Sequence, residues 1–447
     1  MRDTVTLSSA APLHGRIRVP GDKSISHRAL LLGALADGAS QIRGFLPCGD
    51  CQATLSAIQA LGVRVEVHDA TTLTVHGRGL RGLRPPDAPL DCARSGTTMR
   101  LLAGILAGQP FASTLTGAGQ LLRRPMRRVV APLRRMGAAI ADTDAHAPLS
   151  IRGQGTLRGV THDLAVASAQ VKSAILLAGL YAHGPTVVRQ PGPARDHTER
   201  MLEAMGAEIA SSQKNAPRND RFGVAAIRLS PSPVLAPLDL CIPGDLSSAA
   251  FPLLAAALVP GSAVTIDGVG VNPTRTGLLD VLRDMGADVT LTPQPEQGNE
   301  PVASLTVRAA PLHGVTVHGE RVVRMIDEFP ILAVAATQAH GTTVVRDAAE
   351  LRVKETDRIA TVAGALRAMG AQIDVQPDGF VIHGPTALHG ARVDSHGDHR
   401  LAMALVVAGM VASGETVVRG TDCIADSFPG FFEVMKALLD DAHAKGR

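Results

Sequence analysis

Six short stretches of this 447-residue sequence put charged or hydroxyl side chains directly ahead of an apolar run. They carry Lys23, Ser24 and Arg28; Arg94, Ser95, Gly96, Thr97 and Arg100; Ser168, Gln170 and Lys172; Asp245, Ser247 and Ser248; Asp327 and Glu328; and Asp398, His399 and Arg400. Each apolar run has the length of a buried helix, so the polar groups sit at helix N-termini. Capping needs Ser, Thr or Asp at such ends, and acids suit the positive end of the helix dipole. That accounts for Asp327 or Ser247 taken singly. It does not account for Lys23, Arg28, Arg100, Lys172 and Arg400, which the dipole disfavours by a few tenths to about 1 kcal/mol each. Unpaired N–H groups together with Lys and Arg make an anion site. The expectation is that these cations face a ligand, and that several such ends aimed at one place bind a small, multiply charged anion.

Loops add to the set. LRVKETDRI supplies Lys354, Glu355 and Arg358, LLRRPMRRVV supplies Arg123 and Arg124 ahead of Pro125, and PARDHTERML supplies Arg195. Any one of them alone reads as solvated surface charge, but the same loop position is charged in several places. Asp327, Glu355, Lys23 and His399 are the eligible acids and bases for proton transfer. Other site types lack their signatures. No GxxxxGK loop, no GxGxxG after a strand, no HExxH and no GxSxG elbow is present. Cys48 and Cys51 form a CGDC pair with no second pair or His partner at zinc spacing, so neither metal nor redox chemistry is expected of it. No cofactor is implied.

The elements that must hold these groups repeat. One helix type recurs as SISHRALLLGALADG, SGTTMRLLAGILAG, SAQVKSAILLAGLYAHG, LSSAAFPLLAAALVPG, DEFPILAVAATQAHG and GDHRLAMALVVAGMVASG. The copies close on Gly38, Gly108, Gly184, Gly261, Gly341 and Gly414, spaced by 70, 76, 77, 80 and 73 residues. Each glycine is expected to form a left-handed C-terminal cap. A β-branched run follows (SQIRG, STLTG, PTVVR, SAVTIDG, TTVVRD, ETVVRG) and reads as a strand. An amphipathic helix ending in ALGVRV, RRMGAAI, EAMGAEI, RDMGADV or RAMGAQI then leads into another strand; the sixth copy, EVMKALLDDAHAKG, is degraded. Ordinary solenoids have periods of about 20–50 residues, so these larger α/β units are expected to close into two domains of three units each. VTLSSAAPLHGRIRV has no unit of its own and is expected to complete the last one. The resulting domains are residues 1–20 with 242–447, and residues 21–241.

Composition narrows the function. Net charge is only +3, from 44 basic and 41 acidic residues, with no Trp and one Tyr. That argues against a nucleic-acid binder. Three of the six Lys, namely Lys23, Lys172 and Lys354, fall inside the motifs above. Five cysteines in a chain this long suggest reduced thiols and a cytoplasmic protein. No signal-peptide run is seen, and no apolar segment approaches the ~18 residues of a membrane span.

The ordered segments PGDKSISHRA, SGTTMRLL, RRPM, SAQVKSA, RDHTERM, PGDLSSAAF, DEFP, LRVKETDR, GDHRLAMA and SFPGFFE resemble, nearly end to end, the 5-enolpyruvylshikimate-3-phosphate synthase family. The resemblance implies the enolpyruvyl transferase fold, two similar domains of three α/β units around buried helices with the active site in the inter-domain cleft. It implies addition of the 5-hydroxyl of shikimate 3-phosphate to C2 of phosphoenolpyruvate, protonation at C3, and loss of phosphate, on the way to chorismate and the aromatic amino acids. By the same resemblance Lys23, Ser24, Arg28, Ser168, Ala169, Gln170, Arg195, Asp327 and Lys354 hold shikimate 3-phosphate. Lys23, Gly96, Arg124, Gln170, Arg358 and Arg400 hold phosphoenolpyruvate. Asp327 takes the hydroxyl proton, and Glu355 with Lys23 serves the other proton transfers. No metal and no cofactor is implied, and the protein is expected to be a monomer.

Three positions depart from the family pattern. Arg94 replaces the usual Asn, GAGQLLRRPM lacks the usual Asp and Ser ahead of its arginines, and Asp426 stands where some members place a Lys. GDKS, SAQVK, RDHTE and NPTR resemble the glyphosate-tolerant subgroup, which implies reduced sensitivity. The alternatives are the sister transferase acting on UDP-N-acetylglucosamine and a non-catalytic anion-binding repeat protein. The sister family bears a loop cysteine in its first half, and this chain has none between Cys92 and Cys241.

Overall fold

The computed structural model describes residues 3–212, 224–231 and 234–445. The six apolar runs fold as helices α1 (Lys23–Leu35), α2 (Gly96–Ala107), α3 (Ala169–Gly179), α4 (Leu246–Leu258), α5 (Phe329–Gln338) and α6 (His399–Val411). α1 is buried continuously from Ile25 to Leu35, and α6 from His399 to Met410. A helix apolar on every side belongs inside the protein. The caps come from the residue just before each helix: Asp22, Ser95, Ser168, Asp245 and Asp398 accept backbone N–H groups of the first turn. Capping is therefore satisfied without Lys23, Arg28, Arg100 or Arg400.

The closing glycines behave alike with one exception. Gly38, Gly184, Gly261, Gly341 and Gly414 have positive φ, which glycine adopts at little cost. Gly108 instead caps α2 at φ −91°. A Cβ there would stand 2.2 Å from the Tyr181 ring, so close packing, not backbone conformation, requires this glycine.

After each buried helix the chain builds a small sheet on one plan. In the first copy the order is Asp239–Cys241, Ala39–Arg43, Leu73–His76, Arg64–Val67. The leading strand is parallel to the strand after the helix, and the next pair is antiparallel. The second, third and fifth copies repeat this arrangement with their own strands. The opening segment does not form one strand. Thr4–Leu7 pairs antiparallel with Thr416–Arg419 in the last copy, whereas His14–Arg18 pairs parallel with Ala263–Gly270 in the fourth. It thus completes two sheets instead of one.

The chain divides into two compact units, Met1–Pro20 with Pro243–Pro295 and Pro301–Arg447, and Gly21–Ile242 with Glu296–Glu300. Residues 296–300 are the tip between strands Asp288–Gln297 and Glu300–Arg308, so the chain passes between units there as well as near Pro20 and Pro243. Each unit has its own apolar core. One gathers α4, α5 and α6 with Phe251, Phe329 and Phe431; the other gathers α1, α2 and α3 with Phe45 and Tyr181.

Candidate active site

In the unit of α1, α2 and α3 the three helix N-termini are tied together by their polar side chains. Arg28 projects from the second turn of α1 and is only 3% exposed. Its guanidinium donates to the Ser24 carbonyl at 2.9 Å, Ser173 Oγ on α3 at 2.8 Å and Thr198 Oγ1 at 2.7 Å. Burial lowers its pKa to about 10 despite the pull of Glu199. Arg100 on α2 donates to Gln170 Oε1 on α3, whose amide donates back to Thr97 Oγ1 at 2.9 Å. A Cβ built on Gly96 would lie 3.2 Å from Arg100 Nη1 and 3.3 Å from Arg124 Nη1. Two guanidinium groups therefore flank the first residue of α2, whose backbone N–H has no intrahelical acceptor.

Lys23 is half-buried, and its ammonium meets Asp50 Oδ2 at 3.1 Å. Ser24, Ser168, Ala169, Gln170 and Arg195 are all partly exposed. Ser168 accepts the Val171 N–H as the α3 cap, leaving its hydroxyl hydrogen to donate elsewhere. The first N–H groups of α3, Ala169 among them, are available to an anion. Lys23, Arg100, Arg124 and Arg195 thus surround helix ends that carry positive dipole, a setting for phosphate and carboxylate groups.

The other unit joins its three N-termini differently. Arg358, 1% exposed, donates from Nε to Asp398 Oδ2 at 2.8 Å and from Nη2 to Asp398 Oδ1 at 3.2 Å and Glu355 Oε2 at 2.7 Å. Its Nη1 lies 3.5 Å from Asp327 Oδ1. Burial would lower the Arg358 pKa, but the carboxylates outweigh it and hold the value above normal. The burial cost at Asp398 is likewise overcome by Arg358, so that carboxyl stays below its usual range. Asp327 also has Lys354 Nζ at 3.8 Å and Arg400 Nη2 at 3.9 Å. Burial pushes the Lys354 pKa down, with Asp327 opposing. Ser247 Oγ on α4 donates to Glu328 at the start of α5, while Arg275 bonds Asp245 Oδ1 at 3.0 Å. His399, the first residue of α6, is 5% exposed beside the Asp398 cap. A carboxylate among ammonium and guanidinium groups, with a second acid close by, is equipped to move protons.

The expectation that Lys172 faces a ligand is corrected. Its side chain is fully buried, with Nζ 2.6 Å from Glu199 Oε1 and 3.1 Å from the Ala194 carbonyl. Position 172 lies in the first turn of α3 on the face turned inward, which sequence spacing alone did not separate from Gln170. Arg28 is as deeply buried and anchors Ser24 through its backbone. Sequence reasoning gave no site role to Asp50, Ser173 or Thr198, and noted Arg275 only as the end of NPTR. Asp50 falls in the first turn of helix Gly49–Ala60, where an acid reads as a dipole partner, so only the contact with Lys23 reveals it. Among the described residues, Asp196, His197 and Glu300 are close enough to share a metal ion. Each already has a partner: His197 Nδ1 pairs with Glu300 Oε1 at 2.7 Å, and Arg200 Nε donates to Asp196 Oδ2 at 3.0 Å. No helix among the described residues is long and apolar enough to cross a membrane.

Comparison with known proteins adds a separate line of support. The profile of the EPSP synthase family, 3-phosphoshikimate 1-carboxyvinyltransferase, matches residues 7–435. A protein of that name from Acidithiobacillus ferrooxidans is 52% identical, over 94% of each chain. One from Geobacter sp. strain M21 is 50% identical, over 98% of this chain and 99% of its own. The solved EPSP synthase of Acinetobacter baumannii superposes with a TM-score of 0.85 at 41% identity, covering 97% of this chain and 98% of that one. The helix-start clusters and these matches agree, and the chain belongs to the EPSP synthase family.

Proposed function

We propose that the two clusters divide one reaction between binding and proton transfer. The enzyme is a 3-phosphoshikimate 1-carboxyvinyltransferase of the shikimate pathway, using shikimate 3-phosphate and phosphoenolpyruvate. Lys23, Ser24, Arg28, Ser168, Ala169, Gln170 and Arg195 hold shikimate 3-phosphate, with Lys354 and Asp327 at its reacting end. Lys23, Gly96, Arg124, Gln170, Arg358 and Arg400 hold phosphoenolpyruvate. In this reading Arg28 works mainly by fixing Ser24 and Thr198, and Arg358 by ordering the three carboxylates around it.

Asp327 accepts the proton of the 5-hydroxyl as that oxygen bonds to C2 of phosphoenolpyruvate. Glu355 and Lys23 serve protonation at C3 and departure of phosphate, with His399 in the same set. Lys354, its pKa lowered by burial, gives up a proton more readily than a solvated lysine. The observation that carries the assignment is the placing of Asp327 within 4 Å of Arg358, Lys354 and Arg400, since positioned groups of opposite charge can hold anionic substrates in register while a base works. The five cysteines are free thiols, which supports a cytoplasmic setting, and the reading takes the protein as a monomer.

The test is phosphate release on mixing the protein with shikimate 3-phosphate and phosphoenolpyruvate, beside a reaction with UDP-N-acetylglucosamine as acceptor. Release is expected in the first only. Product confined to the second would overturn the acceptor assignment.

A further inference from the structure

The CGDC pair, of which its spacing alone predicts no redox chemistry, touches the proposed site through Asp50. Cys48 is the N-cap of helix Gly49–Ala60 and Cys51 its third residue, the two positions that a capping box brings together. Asp50 stands between them and holds the Lys23 ammonium at 3.1 Å. Cys51 Sγ points to the Lys23 carbonyl at 3.9 Å, and Thr98 Oγ1 donates to the Asp50 carbonyl at 3.4 Å. Cys48 has no capping hydrogen bond from its side chain.

We propose that Cys48 and Cys51 are a redox modification site, and that joining them as a disulfide displaces Asp50 and thereby Lys23. The proposal rests on the reading that Lys23 contacts both substrates. The two thiols are chemically unequal, as an attacking and resolving pair must be. The neighbouring Cys51 thiol lowers the Cys48 pKa against the opposing effect of burial, and the Lys23 ammonium lowers it further. Burial pushes Cys51 well above its ordinary value. Cys92 and Cys423, by contrast, are pushed up to about 12 by burial and have no thiol beside them. Both sulfurs of the pair are buried, but Gly49 between them is exposed, so a small oxidant suits them better than a bulky one.

With hydrogen peroxide the chemistry balances. The Cys48 thiolate attacks one peroxide oxygen, the O–O bond breaks, and hydroxide leaves, giving a sulfenic acid. The Cys51 sulfur then attacks the Cys48 sulfur, the S–O bond breaks, and the hydroxide departs as water with the Cys51 proton. Two thiols lose two electrons, and one peroxide becomes two waters.

Peroxide treatment of the native Cys241→Ser protein, which lacks the partly exposed thiol, tests this. The peptide bearing Cys48 and Cys51 should lose the mass of two hydrogens. Turnover of the two substrates should lose about tenfold in kcat/KM, the scale of one charge-assisted contact, and dithiothreitol should restore both mass and rate. Adding Cys48→Ser or, separately, Cys51→Ala should leave turnover indifferent to peroxide. An unchanged peptide, or one carrying only sulfinic acid, would overturn the site. A disulfide that leaves kcat/KM intact would overturn its link to Lys23. Normal turnover by Lys23→Ala would instead sink the role given to Lys23, while disulfide formation is judged on mass alone.

Discussion

The helix ends of α1, α2 and α3 and those of α4, α5 and α6 come from one repeated unit, yet their charges are arranged in opposite ways. In the first set Lys23, Arg28, Arg100, Arg124, Lys172 and Arg195 outnumber the acids Asp22, Asp50 and Glu199. In the second, Asp245, Asp327, Glu328, Glu355 and Asp398 enclose Arg275, Arg358 and Arg400. The dipoles favour anions equally in both sets. What differs is how many carboxylates each set supplies and which groups they meet. The first set gathers cations with hydroxyls and amides, Arg28 on Ser24, Ser173 and Thr198 and Arg100 on Gln170, while the second gathers carboxylates around Arg358 and keeps Asp327 within reach of several cations. The difference teaches that a repeat can fix where a site lies while the side chains at its helix mouths decide whether that site binds or reacts.

The largest expected effect falls on the acidic set. Asp327→Ala should lower kcat by about 10²–10⁴-fold, the range for a positioned acid or base, with KM for shikimate 3-phosphate changed far less. Near-normal kcat would erase the proposed contrast. Next in size is Lys172→Met, which strands a buried Glu199 carboxylate and should cost about 3–5 kcal/mol of stability in denaturant unfolding. The folded fraction should keep its KM values, and a large KM change would restore Lys172 to the site.

A smaller effect is expected at Arg28. Lysine cannot serve Ser24, Ser173 and Thr198 together, so Arg28→Lys should raise KM for shikimate 3-phosphate by about ten- to hundredfold, the equivalent of 1.5–3 kcal/mol. A change confined to kcat would count against a binding role. Last comes a pH effect. Burial holds His27 neutral, with its pKa lowered from 6.5 to about 3; Asp50 and Asp22 oppose that shift, and Lys23 and Arg28 assist it. Since the folded value lies below the unfolded one, this contribution is complete above pH 6.5 and is lost as pH falls toward 3. Stability should drop by about 2 kcal/mol between roughly pH 7.5 and 5 from this group. A His27→Gln protein whose unfolding midpoint follows the same pH curve would refute the assignment.

Much of this was legible before any coordinates. The six buried helices needed only their apolar runs, and the clustering of Lys23, Asp327 and Arg400 at helix starts was visible from spacing. Other features were not legible because they depend on which side of a turn faces inward. Lys172 and Gln170 sit two residues apart, so one is buried against Glu199 while the other reaches Arg100. Gly108 looked like the other closing glycines, but its reason lies in Tyr181, distant in sequence. Asp50 carried no signal of its own, since long-range pairing with Lys23 gives it meaning. The tip at 296–300 was invisible for the same reason: its docking partners, His197 and Arg200, belong to another part of the chain.

The divided pairing of the opening segment bears on how the molecule is made. The sheet holding His14–Arg18 needs Ala263–Gly270, and Thr4–Leu7 needs Thr416–Arg419. During synthesis residues 21–242 can collapse on their own core once they leave the ribosome, whereas these early strands must wait, one of them for nearly the whole chain. The strands at the start of the chain therefore find their partners only late in translation, so the second unit closes its sheets after the first has its own core.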